Sequence, residues 1–245
     1  MRSTVLILLT CLSRRLKSCC PRRPANWSRA LAERSSRFRL VGLYCGLRPT
    51  EYLALRWRDV DLERGELRIV QNVHRVRNDR VTEHMGRKVA GFRFGPTKTH
   101  RSRRPVAVPA ELVACLAAWK PVQAARRLRV GPAWADLDLV FTDGAGRPHA
   151  IQRVERAFEE ALRKAGIQKV RLYDLRHTMA TLMLYQGEQL KLVAARLGHA
   201  NETMVLRKYG HLLPGMDREA AERLGRLLGS HGTRMAHEAA SDGTT

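Results

Sequence analysis

Arg171-Leu172-Tyr173-Asp174-Leu175-Arg176-His177-Thr178 opens the part of the chain that decides its architecture, followed by Leu197-Gly198-His199 and Lys208-Tyr209-Gly210-His211. These stretches sit within or beside segments whose apolar residues recur at helical spacing, over about 151–165, 173–186, 188–197, 201–209 and 217–228. The last third of the chain therefore reads as a succession of short helices. They deliver an arginine, a histidine and a tyrosine in that order, a set suited to attack on a phosphodiester by a phenol.

Working outward, 131–149 reads as loop, interrupted by an apolar segment from Leu137 to Phe141 and a Gly144-Ala145-Gly146 turn. Before it, Pro109 starts a helix over about 110–129 with Leu112, Leu116 and Trp119 on one face. Leu67, Ile69, Gln71 and Val73 open a strand region over about 66–76, and Phe92 and Phe94 alternate with polar neighbours before Gly95-Pro96. Val106 and Val108 form the return strand, leaving 97–102 as a long basic hairpin tip. Helical spacing from Trp27 to Leu47 stops at Gly46, and a short helix is expected over 51–57. The expected class is α+β, mostly helical, with a small antiparallel sheet on one side.

The chain has 245 residues, enough for one good core and a small appendage. Lys and Arg total 45 against 23 Asp and Glu, a net charge of +22 with no offsetting acidic block. That excess fits a nucleic-acid partner, although basic solvated faces alone would also produce it. Cys11, Cys19, Cys20, Cys45 and Cys115 form an odd set without C-x-x-C spacing, so neither a zinc site nor a disulfide framework is expected. A reducing compartment, the cytoplasm, is the default reading. The apolar run Val5 to Leu12 is followed by Ser13-Arg14-Arg15 where a signal cleavage site would need small residues. No run approaches the roughly 18 apolar residues of a membrane span. Residues 1–25 read as an irregular leader, 26–229 as the main domain and 230–245 as a flexible tail.

Breaking a phosphodiester with a side-chain nucleophile requires an attacking oxygen, cations on the non-bridging oxygens and a proton donor for the leaving alkoxide. Charge builds on the phosphoryl oxygens during in-line attack, so fixed guanidinium forks carry much of the stabilisation. Arginine suits this because its planar donors grip two oxygens and stay charged. Tyrosine is a weak nucleophile with a reference pKa near 10, but its phenolate leaves well, so the link can be reversed by a sugar hydroxyl.

The segment from Gly46-Leu47-Arg48-Pro49-Thr50-Glu51 to Arg58-Asp59-Val60-Asp61 resembles the first-arginine motif of the tyrosine recombinase, or phage integrase, family. Pro96-Thr97-Lys98-Thr99, with Ser102, Arg104 and Val106-Ala107-Val108-Pro109, looks like its hairpin lysine motif. The three C-terminal stretches are similar to its remaining motifs, in the family's order, over about 36–225. The resemblance implies the family's catalytic-domain fold and site-specific DNA recombination through a 3′-phosphotyrosyl intermediate, with no metal or cofactor. It implies Arg48 and Arg176 clamping the scissile phosphate, Tyr209 attacking it, Lys98 protonating the leaving 5′ oxygen and His199 bonding a phosphate oxygen. Glu51 and His177 would support the site from behind. Tyr173 occupies a position where the family most often has histidine or lysine; a phenol there can donate a hydrogen bond but is neither a cation nor a near-neutral base.

Taken singly, each residue has an ordinary reading: Arg48 a solvated charge, Lys98 a soluble turn, His199 a helix-end cap, Tyr209 a half-buried aromatic. Their joint occurrence in order is what favours chemistry. Arg101, Arg103 and Arg104 are expected to contact DNA, alongside other basic residues that could equally be plain surface charge. The resemblance further implies double-stranded DNA as partner and a homo-tetramer on paired DNA sites that is monomeric when free. An accessory DNA-bending protein is an optional further partner. The segment from about Leu212, with Leu213, Ala220, Leu224 and Leu227, would pack on a neighbour or on its own domain. The family normally places a helical DNA-binding domain of about one hundred residues ahead of the catalytic one, and little chain precedes Gly42 here. Weaker, less specific DNA binding is therefore expected. Two alternatives stay open: a DNA-binding remnant or regulator of the same fold, inactive in isolation, and a basic RNA-binding structural protein.

Overall fold

A computed structural model describes residues 36–76, 81–84, 86–97, 100–164, 168–209, 218, 221–222, 224–226 and 228. The expected leader 1–25 and tail 230–245 lie outside the described residues, as do Lys98 at the hairpin tip and Leu213, Ala220 and Leu227.

Helix α1 (Ser36–Cys45) stops where Gly46 takes a φ of +60°. A left-handed residue ends a helix most cheaply when it is glycine, and a Cβ there would lie 1.9 Å from Met179 Cε. Helix α2 (Pro49–Tyr52) follows at once, with Pro49 at its first position, where the absent N–H costs nothing. The helix expected over 51–57 is shorter than that. From Leu55 the chain pairs sideways instead, Val140 N–H donating to Leu55 O and Trp57 N–H to Asp138 O, each at 2.8 Å. Trp57–Asp59 then forms a separate 3-10 turn.

Strands β1 (Val60–Asp61), β2 (Glu66–Ile69) and β7 (Arg104–Ala107) make one antiparallel sheet in the order β1-β2-β7, with Leu67 opposite Val106 and Ile69 opposite Arg104. Strands β3 (Gln71–Arg75) and β6 (Phe92–Pro96) make a second, with Val73 opposite Phe94. The region 66–76 is thus not one strand. It breaks at Val70 and passes from one sheet to the next, with Gln71 Nε2 donating to Ala54 O at 2.7 Å. A third ribbon, β4 (Val81–His84) with β5 (Arg87–Ala90), turns at Gly86. The sequence reading missed it because Val89 alone among its described side chains is buried, leaving almost no apolar alternation to read.

Helix α3 (Ala110–Val130) buries Leu112, Cys115, Leu116, Trp119 and Gln123. Beyond it, among the described residues, come the helices α4 (Ile151–Lys164), α5 (Asp174–Tyr185), α6 (Leu190–Leu197) and α7 (Thr203–Tyr209). Helix α5 runs across two apolar clusters. Leu175 and the preceding Leu172 belong to the larger, with Leu47, Tyr52, Leu67 and Leu116. Met179, Ala180 and Leu184 belong to the smaller, with Val193, Leu197, Val205 and Tyr209. Burying each such leucine contributes about 1.5–3 kcal/mol. Between the two sets on the same helix lies Arg176, only 2% exposed. A charge so placed persists only where its donors are matched.

Candidate active site

Arg176 meets that condition through helix ends. Its Nη1 donates to Gly46 O at 2.6 Å, just past α1, and its Nη2 to Leu197 O at 2.6 Å, the last residue of α6. Both carbonyls lie at the negative ends of helix dipoles, where a cation is favoured. Burial first, and then the nearby Arg48 charge, bring the guanidinium pKa down to about 10, so it stays protonated at neutral pH.

Nη2 of Arg176 also lies 3.2 Å from His199 Nε2. A guanidinium only donates, so Nε2 must accept and the ring proton belongs on Nδ1. Nδ1 is buried without a hydrogen-bond partner among the described residues. Burial, then the charges of Arg176 and Arg48, hold the imidazole pKa down at about 4, and the ring is neutral. His199 reaches this point because Gly198, at φ +67°, ends α6 in the left-handed conformation.

The residue after Arg176 turns to a different partner. His177 Nδ1 is 2.6 Å from the Tyr209 hydroxyl. Tyr209 ends α7 and is only 4% exposed; burial pushes its phenol up to about 12 against the opposing Arg176 charge. Tyr173, at the N-cap of α5, packs its ring edge-on to His177 at 5.1 Å between centroids, with Lys208 Nζ 5.9 Å above the Tyr173 ring.

Arg48 caps α2. Its N–H donates to Glu51 Oε2 at 3.0 Å and its Nη1 to Oε1 at 2.7 Å. About a third of the Arg48 side chain remains exposed, whereas Glu51 is buried. The other partner of Glu51 is Arg104, whose Nη2 lies 3.1 Å from Oε2. Burial alone would raise the Glu51 carboxyl, but the Arg104 charge and hydrogen bond, joined by Arg48, hold it below the usual carboxylate range.

The expectation that Arg104 contacts DNA is corrected here. The side chain is buried, with Nε donating to Arg196 O at 2.7 Å and Nη1 to Ser102 O at 2.9 Å as well as its Glu51 contacts. Only about 6% of the side chain is exposed, which leaves a phosphate little access to the guanidinium. A signal was present in the sequence: in an alternating strand, Arg104 shares a face with Val106, which points inward. Arg103 is exposed, and Arg101 is exposed while donating to Ala200 O. Arg196, also unremarked in the sequence, ties Tyr44 O and Ala107 O at 2.8 and 2.9 Å. The structure thus brings Arg48, Glu51, Arg176, His177, His199 and Tyr209 together. Among the described residues, no group of three His, Cys, Asp or Glu is placed to hold a metal, and no helix is long and apolar enough to cross a membrane.

Residues 22–215 match the model of the phage integrase family. The chain belongs to the phage integrase family. A tyrosine recombinase XerC-like protein of Caldanaerobacter subterraneus subsp. tengcongensis is 30% identical over 192 residues, covering 77% of this chain and 48% of that protein. The integrase of Staphylococcus phage L54a is 29% identical over 185 residues, covering 75% and 49%. This integrase-family chain thus spans about half the length of the curated relatives it matches. The crystal structure of XerA recombinase shares its fold with a TM-score of 0.53 at 25% identity, over 80% of this chain and 62% of that one. The Tn1549 transposon integrase, solved in complex with transposon right end DNA, does so at 0.60 and 19% identity, over 83% and 65%. The α+β, mostly helical class expected from the sequence is the fold these recombinases have.

Proposed function

We propose that this chain is the catalytic part, over 26–229, of a site-specific recombinase that cuts and rejoins double-stranded DNA through a 3′-phosphotyrosyl link at Tyr209. The observation that carries the reading is the divergence of two consecutive residues: Arg176 reaches His199 and His177 reaches Tyr209. Cation, neutral imidazole and nucleophile are thereby held by one turn of one helix.

In this reading Arg48 and Arg176 grip the non-bridging oxygens of the scissile phosphate. Arg48 suits this because, with Nη1 bonded to Glu51, about a third of its side chain remains exposed. His199 adds a hydrogen bond to the same phosphate, Glu51 aims Arg48, and Lys98 protonates the leaving 5′ oxygen. The 3′-phosphotyrosyl ester then waits for a 5′ hydroxyl of the partner duplex. The net charge of +22 supplies salt-dependent affinity for the DNA backbone. The working assembly is four protomers on two paired sites, monomeric when free, in the cytoplasm, with an accessory DNA-bending protein where the site requires one.

The test is covalent trapping. The full chain is incubated with nicked duplexes carrying the DNA that flanks its coding sequence, and a denaturant-resistant protein–DNA adduct is sought, with Tyr209→Phe as control. An adduct lost in Tyr209→Phe supports the reading. Salt-sensitive binding without any adduct would instead favour a DNA-binding remnant of the fold.

A further inference from the structure

The phenol of Tyr209 must lose its proton to attack, and its surroundings work against that. The side chain is buried, and the charged or polar groups that act on it are Arg176 and Tyr173. A guanidinium cannot accept a proton at neutral pH, and a second phenol is no base there. The imidazole of His177, with Nδ1 2.6 Å from the hydroxyl oxygen, is in direct contact with the phenol.

We propose that His177 is a catalytic residue, the general base that takes the Tyr209 proton as the phenol attacks the phosphate. The assignment rests on the recombinase reading above. In the forward step the Oη–H bond breaks and its proton moves to Nδ1, the Oη–P bond forms, and the P–O5′ bond breaks with the leaving oxygen protonated by Lys98. In the reverse step the incoming 5′ hydroxyl gives its proton back to Lys98 as its oxygen bonds phosphorus, the Oη–P bond breaks, and the leaving phenolate recovers its proton from Nδ1. Nothing is oxidised or reduced.

Several features fit His177 to this task. Acceptance at Nδ1 requires a neutral ring with its proton on Nε2. Burial, then the Lys208 charge on α7, hold the His177 pKa at about 4, against the pull of Asp174 and with help from Arg176 and Arg171. The Tyr173 ring packs edge-on to the imidazole at 5.1 Å and restricts its rotation, so the phenol at position 173 acts as a wall behind the base. The site needs no cation at position 173 if the base stands at 177.

Two measurements test this. Nitrogen-15 NMR of histidine-labelled protein reads the tautomer without DNA: an Nε2–H ring with an accepting Nδ1 is expected, and an Nδ1–H ring would overturn the assignment. Adduct formation is then followed on a nicked duplex with a 5′-bridging phosphorothiolate, whose sulfur leaves without a proton and so isolates activation of the nucleophile. His177→Ala should slow the adduct by about 100-fold or more at pH 7, the scale of a lost general base. Its rate should climb about 100-fold from pH 7 to 9, one decade per unit below the phenol pKa, while the wild type stays flat. Added imidazole should restore part of the variant's rate. A variant as fast as wild type, or one slowed equally at every pH and not rescued, would reduce His177 to packing. A wild-type chain that forms no Tyr209-dependent adduct overturns the recombinase reading itself, whereas an adduct with unaltered His177→Ala kinetics overturns only the role of His177.

Discussion

The Arg104 guanidinium reaches both oxygens of the Glu51 carboxylate, Nη2 at 3.1 Å from Oε2 and Nη1 at 3.5 Å from Oε1, inside the fold and across 53 residues of sequence. Glu51 in turn holds Arg48. The partly exposed Arg48 is therefore aimed by a buried arginine, through a shared acid.

Removing Arg104 should accordingly cost stability first. Arg104→Ala leaves Glu51 with Arg48 alone and strips donors from Arg196 O and Ser102 O. Breaking a buried pair from one side costs about 3–5 kcal/mol, read as a lowered midpoint in urea unfolding. Arg104→Lys should recover little, since an ammonium cannot span three acceptors in a plane. Retention of wild-type stability in Arg104→Ala would show that the pair contributes nothing.

Acid should destabilise the fold in two stages. His177 and His199 have folded pKa values near 4, below the unfolded value of about 6.5. The unfolded chain therefore binds protons first, and stability falls as pH drops from about 6.5 toward 4. Glu51 also has a depressed folded pKa, so its contribution is full above the unfolded value of about 4.3 and is lost as pH falls through the folded one. Urea midpoints measured from pH 8 to pH 3 should decline monotonically. The variant Glu51→Gln should be less stable at pH 7 and should show a smaller lower stage, since Asp174, whose carboxyl Arg171 also holds below its usual range, remains.

Gly198→Ala should damage both fold and site. The φ of +67° costs a residue bearing a Cβ about 1–2 kcal/mol, and the added carbon would lie 2.8 Å from Arg104 Nη1. His199 follows directly, so a drop in Tm should accompany a loss of adduct in the trapping assay larger than the lost folded fraction explains.

Arg101 and Arg103 are exposed, while Arg104 is buried. If the first two meet phosphates, each change to Ala should reduce the slope of log affinity against log salt by about one and weaken binding to all duplexes alike. Fluorescence anisotropy from low to moderate salt checks this, and an unchanged slope would remove both residues from the DNA surface.

The helical half of the fold was legible because its signals are local. Apolar spacing gave α3 to α7 to within a few residues, and Gly46 marked the end of α1. The sheets were less so. Leu67, Ile69 and Val73 alternate correctly, but nothing in 66–76 announces that Val70 changes sheet, because the cause is pairing with β7 and β6 far along the chain. The candidate site shows the same division. Arg48, Arg176, His199 and Tyr209 were readable as an ordered set of residue types, whereas the bond from His177 to Tyr209 depends on how α5 meets α7. Arg104 was misassigned because charge alone says nothing of the face a strand turns inward.

The central claim is that Tyr209 forms the bond to DNA. Digesting the trapped adduct with trypsin and nuclease and sequencing the nucleotide-bearing peptide by mass spectrometry tests it most directly. The account predicts a single 3′-linked nucleotide remnant on Tyr209. A remnant on Tyr173 or on any other residue would contradict it.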